Sequence, residues 1–390
     1  MLHARKYPND PPLAERHQNL KITNIRVRKL RLIEEVGELV PAWPGNSMTF
    51  RRGGGSFVEI ETDQGLIGIG PGADPSLVEP AKAILIGENP FDIERHAEKL
   101  GNRVRGRGYS GAAGFDIAMW DLIGKACGQP LVSIFGGGKK EVVPYASMIR
   151  LSEPEERADI ASRLASEGWR AIKLRIHHDT IRDDIETVRR VREAVGSDMT
   201  ITVDANQAQS ATDWQPGIQW DYSRALQTAR ELDALDVAWL EEPLPRYAFD
   251  QIARLNDTVS IPIAGGENNV GLHEFTRMLK ENVYDVLQPE SMVLSGITTL
   301  RKIGTMAAAF GKKCVPHHGG GDIGVIAHMH LVASWPHAPF MELLHDPPIG
   351  DYQHKFSIFA NPPKAKNGLI QVPTGPGLGI EINPEMIVDE

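Results

Sequence analysis

Short apolar runs alternate with longer amphipathic segments over the second two-thirds of the chain. The runs are rich in β-branched residues and recur about every 25 to 30 residues, the length of one strand-and-helix unit in a (β/α)8 barrel. Segments with helical spacing lie between them, for example Pro154 to Ser166 and Asp183 to Val195. The pattern predicts an α/β protein with a barrel of parallel strands. The candidate strands begin near Val143, Ala171, Thr200, Val237, Ile261, Tyr284, Lys313 and Pro339.

The first third of the chain has a different pattern, in which alternating β-branched segments precede helical ones. Residues 56–70 alternate as a pair of strands would, and Asp63 to Gly65 is typical of the turn between them. The last helical segment, 112–131, carries apolar residues at helical spacing and reaches Gly128, which favours a helix end. We therefore expect an α+β domain over residues 21–142.

These changes of pattern divide the chain into four parts. Residues 1–20 are expected to form an N-terminal arm, and residues 21–142 form the α+β domain. The barrel is expected over residues 143–365, and the tail over 366–390 is expected to return to the first domain.

Composition argues against several classes of partner. The formal net charge of the 390 residues is −9, and charged residues are spread along the chain, so neither nucleic acid nor an anionic membrane is the expected partner. Cys127 and Cys314 lie far apart with no CxxC motif, which argues against a disulfide framework and a structural zinc site. No apolar run reaches the roughly 18 residues of a membrane span, and the opening residues lack the apolar stretch of a secretory signal. We expect a reduced, cytoplasmic location.

Carboxylates end three consecutive candidate strands of the barrel. Asp204, Glu241 and Glu267 occupy these positions, and the carboxyl ends of barrel strands converge on the mouth, where active sites are built. For each acid alone, a helix cap or a salt bridge is the favoured interpretation. Three together repel one another unless a cation lies among them. Oxygen ligands favour a hard ion, so we expect Mg²⁺ first and Mn²⁺ second.

The opposite side of the mouth is expected to carry a pair that can exchange protons. Glu290 ends the sixth candidate strand and His317 the seventh, and a carboxylate behind an imidazole fixes its tautomer and raises its basicity. His318 is the alternative, because neighbouring side chains of an extended segment point to opposite faces. The residues alone leave the choice open. Other histidines, among them His177 and His328, are interpreted as packing or surface residues.

Two basic residues lie on the second candidate strand. Lys173 and Arg175 are two residues apart, so both side chains are expected to point into the barrel. The lysine could act as a base if burial and neighbouring cations depress its pKa. The arginine stays protonated, so it can serve only as a planar, positively charged donor of hydrogen bonds to oxygen atoms. Both are equally compatible with a structural role as partners of the acids.

Several short motifs together resemble the enolase superfamily, in its mandelate racemase and muconate-lactonizing branch. The resemblance covers nearly the whole chain after the first twenty residues. The matching pieces are the helix at 114–131, KLR at 173–175, VDANQ at 203–207, WLEEPL at 239–244, GGENN at 265–269, QPE at 288–290, VPHHGG at 315–320 and MELL at 341–344. The resemblance implies a modified (β/α)7β barrel, capped by the α+β domain and often assembled as a homo-oligomer.

The resemblance also implies roles for individual residues. The three carboxylates named above match the family's Mg²⁺ ligands, and the spacing from Glu290 favours His317 over His318. Glu342 resembles an acid on the eighth strand that hydrogen-bonds the substrate carboxylate. This chain departs from the family pattern at Glu290, which is ordinarily Asp, and at Arg175, where a basic Lys is often found. The second departure argues against racemisation by two bases.

We therefore predict a Mg²⁺-dependent dehydratase that converts an aldonate or aldarate to a 2-keto-3-deoxy acid. His317 and Glu290 are the expected acid-base pair, with Lys173 and Arg175 as electrostatic groups and Asn206 and Glu342 among the substrate-binding residues. The alternatives are a racemase or epimerase acting on the same site, and a non-catalytic protein that binds sugar acids.

Substrate choice is assigned to residues 35–55 of the first domain, which we place over the mouth as a lid. Trp43, Arg51 and Arg52 are expected to contact the far end of the substrate, and the glycines at 53–55 are expected to act as a hinge. A mobile surface loop is the competing interpretation of this segment.

Overall fold

The computed structural model describes residues 19–42, 47–104, 111–208 and 218–388. Alternating β-branched segments of the first domain form its strands, of which β1, β4 and β5 pair antiparallel and β2 and β3 form a separate two-stranded sheet. The turn predicted at Asp63 to Gly65 connects β4 to β5, and Gly65 takes a φ of +77° there. The strands are β1 (Ile22–Leu30), β2 (Leu32–Leu39), β3 (Met48–Gly53), β4 (Ser56–Thr62) and β5 (Ile67–Pro71).

Helices complete the α+β domain. They are α1 (Val78–Leu85), α2 (Ile93–Val104), α3 (Ala113–Cys127) and α4 (Leu131–Ile134). The helix predicted over 112–131 is α3, which is buried on almost every face and lies against β5. Gly70 permits this contact, because a Cβ atom there would lie 2.0 Å from the carbonyl oxygen of Gly114. Gly128 ends α3 in the left-handed conformation, at a φ of +64°.

Eight parallel strands, β7 to β14, form the barrel sheet in the order β13-β12-β11-β10-β9-β8-β7-β14. Consecutive strands are neighbours in this order, and β14 returns to pair with β7, as a barrel requires. The second part of the chain contains β6 (Glu141–Val142), β7 (Pro144–Ser147), β8 (Ala171–Arg175), β9 (Thr200–Asp204), β10 (Leu240–Glu241), β11 (Ile263–Gly265), β12 (Val286–Leu287), β13 (Lys313–Cys314) and β14 (Met341–Leu344).

Each of the first seven barrel strands is followed by a helix, which gives the (β/α)7β arrangement. The helices are α5 (Pro154–Ser166), α6 (Ile181–Val195), α7 (Tyr222–Ala234), α8 (Phe249–Asn256), α9 (Gly271–Lys280), α10 (Ile297–Ala309), α11 (Ile323–Ser334) and the short α12 (Tyr352–Phe356) after the last strand. Within the described ranges, no helix has both the length and the apolar character that crossing a membrane requires.

Side chains of the second barrel strand alternate between two environments. Ile172, Leu174 and Ile176 are buried in the large core between the sheet and the helices. Ala171 belongs instead to the small cluster inside the barrel, with Trp239 among its members. The odd-numbered residues of β8 therefore point inward, which directs its two cations toward the mouth.

The tail contacts both parts of the molecule through three short strands, β15 (Ala365–Lys366), β16 (Leu369–Gln371) and β17 (Ile387–Val388). β16 pairs with β6, and β17 pairs with β1 in the first domain. On α3, the buried carboxylate of Asp121 accepts a hydrogen bond of 2.8 Å from the backbone N–H of Leu378. These contacts fix the tail across the junction of the two domains.

Candidate active site

Three buried carboxylates meet at the mouth of the barrel. Asp204 ends β9, Glu241 ends β10, and Glu267 follows β11 by two residues. One oxygen from each lies within 4.8 Å of the others. The structure thus brings together the three residues that the sequence analysis selected as metal ligands.

The charge balance of the mouth favours a bound cation. Burial and the charge of Asp204 raise the pKa of Glu241 to about 7, although Lys173 lowers it. Burial and Glu267 raise the pKa of Glu242 well above its usual range, and neither oxygen of Glu242 has a hydrogen-bond partner in the described part of the chain. An all-oxygen cluster of three carboxylates that repel one another fits a hard divalent ion such as Mg²⁺.

Lys173 is fully buried between two carboxylates. Its Nζ lies 2.8 Å from Oε1 of Glu241 and 2.9 Å from Oε1 of Glu342. Burial lowers the pKa of Lys173, but these two acids more than offset that effect and raise the pKa above its usual value. A role for Lys173 as a base requires a lowered pKa, and in this structure its pKa is raised instead.

Arg175 is held by four groups of the mouth. Its guanidinium bonds to the carboxylate of Asp204, and Nη1 lies 3.4 Å from Oδ1 of Asn206. Nε donates to the carbonyl of Met148 at 3.1 Å, and Nη2 donates to the hydroxyl of Ser147 at 3.3 Å. Arg175 is a positioned cation beside the carboxylate cluster, as its chemistry predicts.

His317 faces the carboxylate cluster from the opposite side of the mouth. Its Nδ1 lies 2.8 Å from Oε2 of Glu290, and its Nε2 lies 3.3 Å from Oε2 of Glu267. Burial lowers the pKa of His317, but Glu267, Glu342 and the bond to Glu290 raise it to about 10. Neutralisation of Glu267 by a cation would remove the largest of these raising contributions.

His318 occupies a different position from its neighbour. Its ring stacks on that of His317 with centroids 4.8 Å apart, and its Nδ1 accepts a 3.1 Å hydrogen bond from the N–H of Gly320. The same nitrogen is 3.9 Å from Glu290, which is too far for a hydrogen bond. The geometry of the pair thus favours His317.

Ser291 and His328 lie behind Glu290, and neither was predicted from the sequence to be part of the site. The Ser291 hydroxyl lies 3.3 Å from Oε1 of Glu290, and the buried ring of His328 reaches that hydroxyl with Nε2 at 2.8 Å. The N–H groups of Met292 and Gly319 also donate to Glu290, at 2.9 and 2.8 Å. His328 is therefore a packing residue, as expected. It is also hydrogen-bonded to Ser291, which contacts Glu290.

Glu342 and Glu241 each accept a hydrogen bond from a side chain that was not predicted from the sequence to belong to the site. Oε2 accepts a 2.9 Å hydrogen bond from the hydroxyl of Tyr145 on β7. Gln288 on the loop after β12 donates to Oε2 of Glu241 at 2.7 Å. Each contact joins residues from separate strands, so no local sequence signal marks either one.

The proposed lid is a two-stranded sheet that packs on the barrel. Leu39 and Phe50 of the lid are buried against Ile149, which follows β7. Nη2 of Arg51 pairs at 3.0 Å with Glu35 directly across the sheet. Arg52 likewise pairs with Glu34, at 2.8 Å. Trp43 lies outside the described residues, as do residues 1–18 of the arm.

Comparison with known proteins identifies the family from two regions of the chain. Residues 47–136 match the family model of the N-terminal domain of mandelate racemase and muconate lactonizing enzymes. Residues 156–386 match the family model described as enolase C-terminal domain-like. Together the two regions cover most of the first domain, most of the barrel and most of the tail.

Related proteins of assigned activity cover most of the chain. A D-galactarolactone cycloisomerase of Agrobacterium fabrum is 30% identical over 95% of this chain and 98% of its own. An arabinonate dehydratase of Saccharolobus solfataricus is 30% identical over 83% and 87% of the two chains. An N-succinyl-L-Arg/Lys racemase of Bacillus cereus is 27% identical over 85% and 88%.

Solved structures agree with this assignment. The crystal structure of an L-talarate dehydratase from Polaromonas sp. JS666, complexed with Mg and L-glucarate, superimposes with a TM-score of 0.76. The two chains are 27% identical over 94% of this chain and 96% of the other. Fold, both family models and relatives at this identity lead to one conclusion. The chain is an enzyme of the enolase superfamily and belongs to its mandelate racemase and muconate lactonizing branch.

Proposed function

We propose that this enzyme is a Mg²⁺-dependent hydro-lyase that removes water from an acid sugar and releases a 2-keto-3-deoxy acid. The observation that carries the proposal is the single dyad of His317 and Glu290, which faces three carboxylates across the mouth. The two cations on the other side, Lys173 and Arg175, are engaged in ion pairs. Among the described residues, the mouth offers one such base, which suits elimination better than inversion at the α-carbon.

Asp204, Glu241 and Glu267 are the residues that would hold the metal. When bound, Mg²⁺ supplies positive charge that polarises the substrate carboxylate and offsets the charge that develops as the α-proton leaves. Lys173 and Arg175 add fixed positive charge beside the same carboxylates. Glu342 is held by Lys173 and Tyr145, at the edge of the space in which the substrate carboxylate would lie.

His317 performs both proton transfers in this proposal. Its Nε2 accepts the α-proton, and the C–H electron pair passes into the carboxylate as an enediolate. The same nitrogen then returns the proton to the β-hydroxyl as the C–O bond breaks, so that water leaves and an enol remains. The enol tautomerises to the 2-keto-3-deoxy acid. Glu290 keeps Nδ1 protonated, which leaves Nε2 to exchange the proton.

The two alternatives predict different outcomes in one experiment. The enzyme is incubated with Mg²⁺ and a library of aldonates and aldarates in D₂O, and keto-acid formation and α-deuterium content are measured. The proposal predicts a keto acid from at least one acid sugar. A racemase would incorporate deuterium into both epimers without loss of water, and a binding protein would bind an acid without exchange of its α-proton.

We also infer the setting in which the enzyme works. A small carboxylate is its expected partner, and a homo-oligomer in the cytoplasm is its expected form. In support, the chain carries free Cys127 and Cys314, and Leu32 and Ile33 expose 47% and 46% of their surface on one strand of the lid. Light scattering of the purified protein tests the assembly, and a monomer at micromolar concentration would contradict it.

A further inference from the structure

The carboxylate of Glu290 is held at both of its oxygens. Oε2 lies 2.8 Å from Nδ1 of His317 and accepts a second bond of 2.8 Å from the N–H of Gly319. Oε1 accepts a bond of 2.9 Å from the N–H of Met292, and the hydroxyl of Ser291 lies 3.3 Å from it. A glutamate has three side-chain torsions, and all of them must be fixed for its oxygens to keep one place. The direction in which Oε2 faces His317 therefore depends on the groups that hold Oε1.

His328 lies behind this carboxylate, on α11. Its ring is 2% exposed, and its Nε2 lies 2.8 Å from the hydroxyl oxygen of Ser291. The same nitrogen is 3.9 Å from Oε1 of Glu290, which is too far for a hydrogen bond. The contact between ring and hydroxyl is also shorter than the contact between hydroxyl and carboxylate. His328 therefore fixes the hydroxyl of Ser291 and reaches Glu290 only through it.

Two glycines bring α11 close enough for this contact. A Cβ atom at Gly324, near the start of α11, would lie 2.1 Å from the carbonyl oxygen of Gly319. Gly319 itself takes a φ of +72°. His328 follows Gly324 by four residues and so lies on the same face of the helix. The close approach that places the N–H of Gly319 on Glu290 thus also directs His328 toward Ser291.

The hydrogens of these contacts have one consistent arrangement. Burial raises the pKa of Glu290, but the bond to His317 and the neighbouring histidines more than offset this and hold the pKa well below its usual range. The ionised carboxylate can only accept, so the hydroxyl of Ser291 donates to it and accepts from His328. Burial lowers the pKa of His328, so its ring is neutral and carries its one hydrogen on Nε2. Both donors therefore point toward Glu290.

We infer that Ser291 and His328 are positioning residues for the pair of His317 and Glu290. His328 fixes the hydroxyl of Ser291, and that hydroxyl fixes Oε1 of Glu290. Oε2 is thereby kept in line with Nδ1 of His317. The inference rests on the proposed function, in which His317 transfers the protons, and adds two residues to it. Both act through Glu290 rather than on the substrate, so their loss should slow proton transfer and leave substrate binding unchanged.

Removal of the hydroxyl tests the first step. Ser291→Ala is assayed as the Mg²⁺-loaded enzyme on an acid sugar that the native enzyme dehydrates. We expect kcat to fall about tenfold, the effect of one hydrogen bond to a charged group, and KM to change by less than about twofold. An unchanged kcat, or a loss that appears only in KM, would overturn the inference.

Two amides at position 328 separate positioning from packing. His328→Gln places an N–H about as far along the side chain as Nε2, so kcat should stay within about threefold of the native value. His328→Asn holds the same amide nearer the backbone, out of reach of Ser291, and kcat should fall about tenfold. Both variants bury one amide group, so a role in packing alone predicts equal losses. Equal losses would contradict the inference.

The double variant tests whether the two residues act together. Ser291→Ala combined with His328→Asn should lose about tenfold in kcat, whereas independent roles would multiply to about a hundredfold loss and contradict the inference. His330→Gln is the matched control on the same helix. The ring of His330 bonds to the N–H of Val132 and the carbonyl of Leu378 instead. It should leave kcat unchanged, and a tenfold loss there would show that any substitution in α11 slows the enzyme.

The position of Glu290 can also be measured without turnover. Crystal structures of the native enzyme and of Ser291→Ala, both with Mg²⁺, should show one conformer of Glu290 in the first and a displaced or alternate carboxylate in the second. If the native enzyme forms no keto acid but the variant displaces Glu290, the proposed dehydratase is wrong and the positioning role stands. If Glu290 keeps its place in the variant, the inference is wrong whatever reaction the native enzyme catalyses.

Discussion

Lys173 and Glu241 form an ion pair in which both side chains are fully buried, with Nζ 2.8 Å from Oε1. The pair joins β8 to β10 at the mouth, and Glu342 and Asp204 are further acidic partners of the lysine. This arrangement holds Lys173 in its charged form. The proposed mechanism accordingly assigns proton abstraction to His317, on the other side of the mouth.

Removal of the lysine charge should destabilise the protein. Lys173→Met leaves Glu241 and Glu342 buried without their cation, and loss of one partner of a buried ion pair costs about 3 to 5 kcal/mol. Urea unfolding in the absence of Mg²⁺ measures this loss, and saturating Mg²⁺ should restore part of it. Unchanged stability would show that the carboxylates are neutralised in another way.

Chelation should abolish activity, and Mg²⁺ should restore it better than Zn²⁺, because the three ligands are carboxylates. Glu267→Gln should weaken Mg²⁺ binding and leave the fold intact, since an amide is a poorer ligand and repulsion among the acids falls. Calorimetric titration with Mg²⁺ and circular dichroism measure the two effects. Full turnover after exhaustive chelation would rule out the metal site.

Arg175→Lys should weaken substrate binding, because a lysine cannot keep the four contacts that the guanidinium makes. The pH profile of the native enzyme should require no deprotonated group at this position. Arg175→Lys should also admit slow α-proton exchange, if the new amine reaches the substrate. Rapid deuterium incorporation into both epimers by the native enzyme would instead restore the racemase interpretation.

Asp116 should make stability depend on pH at the junction of the domains. It is fully buried on α3 and accepts bonds of 3.0 and 2.6 Å from the N–H and hydroxyl of Thr298 on α10. Burial raises the pKa of Asp116 to about 6, despite these bonds. The protonated form therefore stabilises the fold below about pH 4, and this contribution is lost as pH rises through 6.

Asp116→Asn removes that titration and keeps one of the two acceptor oxygens, while an amide NH₂, which only donates, replaces the other. The variant should gain about 3 kcal/mol relative to the native protein between pH 4 and pH 7, as two pKa units imply. Denaturant unfolding at both pH values measures the difference. A constant difference between the two proteins across this range would contradict the assignment.

Patterns with a short period were sufficient to predict the architecture and the clustering of three carboxylates at the mouth. Alternation along β8 placed Lys173 and Arg175 inside the barrel, and strand ends at regular intervals identified Asp204, Glu241 and Glu267. These predictions succeed because a parallel strand buried on both faces has few local alternatives. The same reasoning placed helices within two residues of their observed ends, as at Ile181–Val195.

Contacts between distant segments could not be predicted in this way. Tyr145 looks like a core aromatic residue, yet its hydroxyl donates a hydrogen bond to Glu342, which lies 197 residues further along the chain. Arg51 forms an ion pair with its cross-strand neighbour Glu35 that the sequence did not predict. Pairing of that kind depends on the register of two strands, and no single segment carries that information.

The rate of keto-acid formation by His317→Asn is the most direct test of the proposed dehydration, since both proposed proton transfers pass through Nε2 of this residue. The substitution keeps a polar side chain and removes the titratable nitrogens, so Mg²⁺ and substrate should still bind. Turnover should fall by roughly 10² to 10⁴-fold, as general acid-base catalysis typically contributes. His318→Asn is the matched control and should retain most of the activity. An active His317→Asn enzyme would contradict the account, and an inactive His318→Asn enzyme beside it would move the catalytic role to the neighbouring ring.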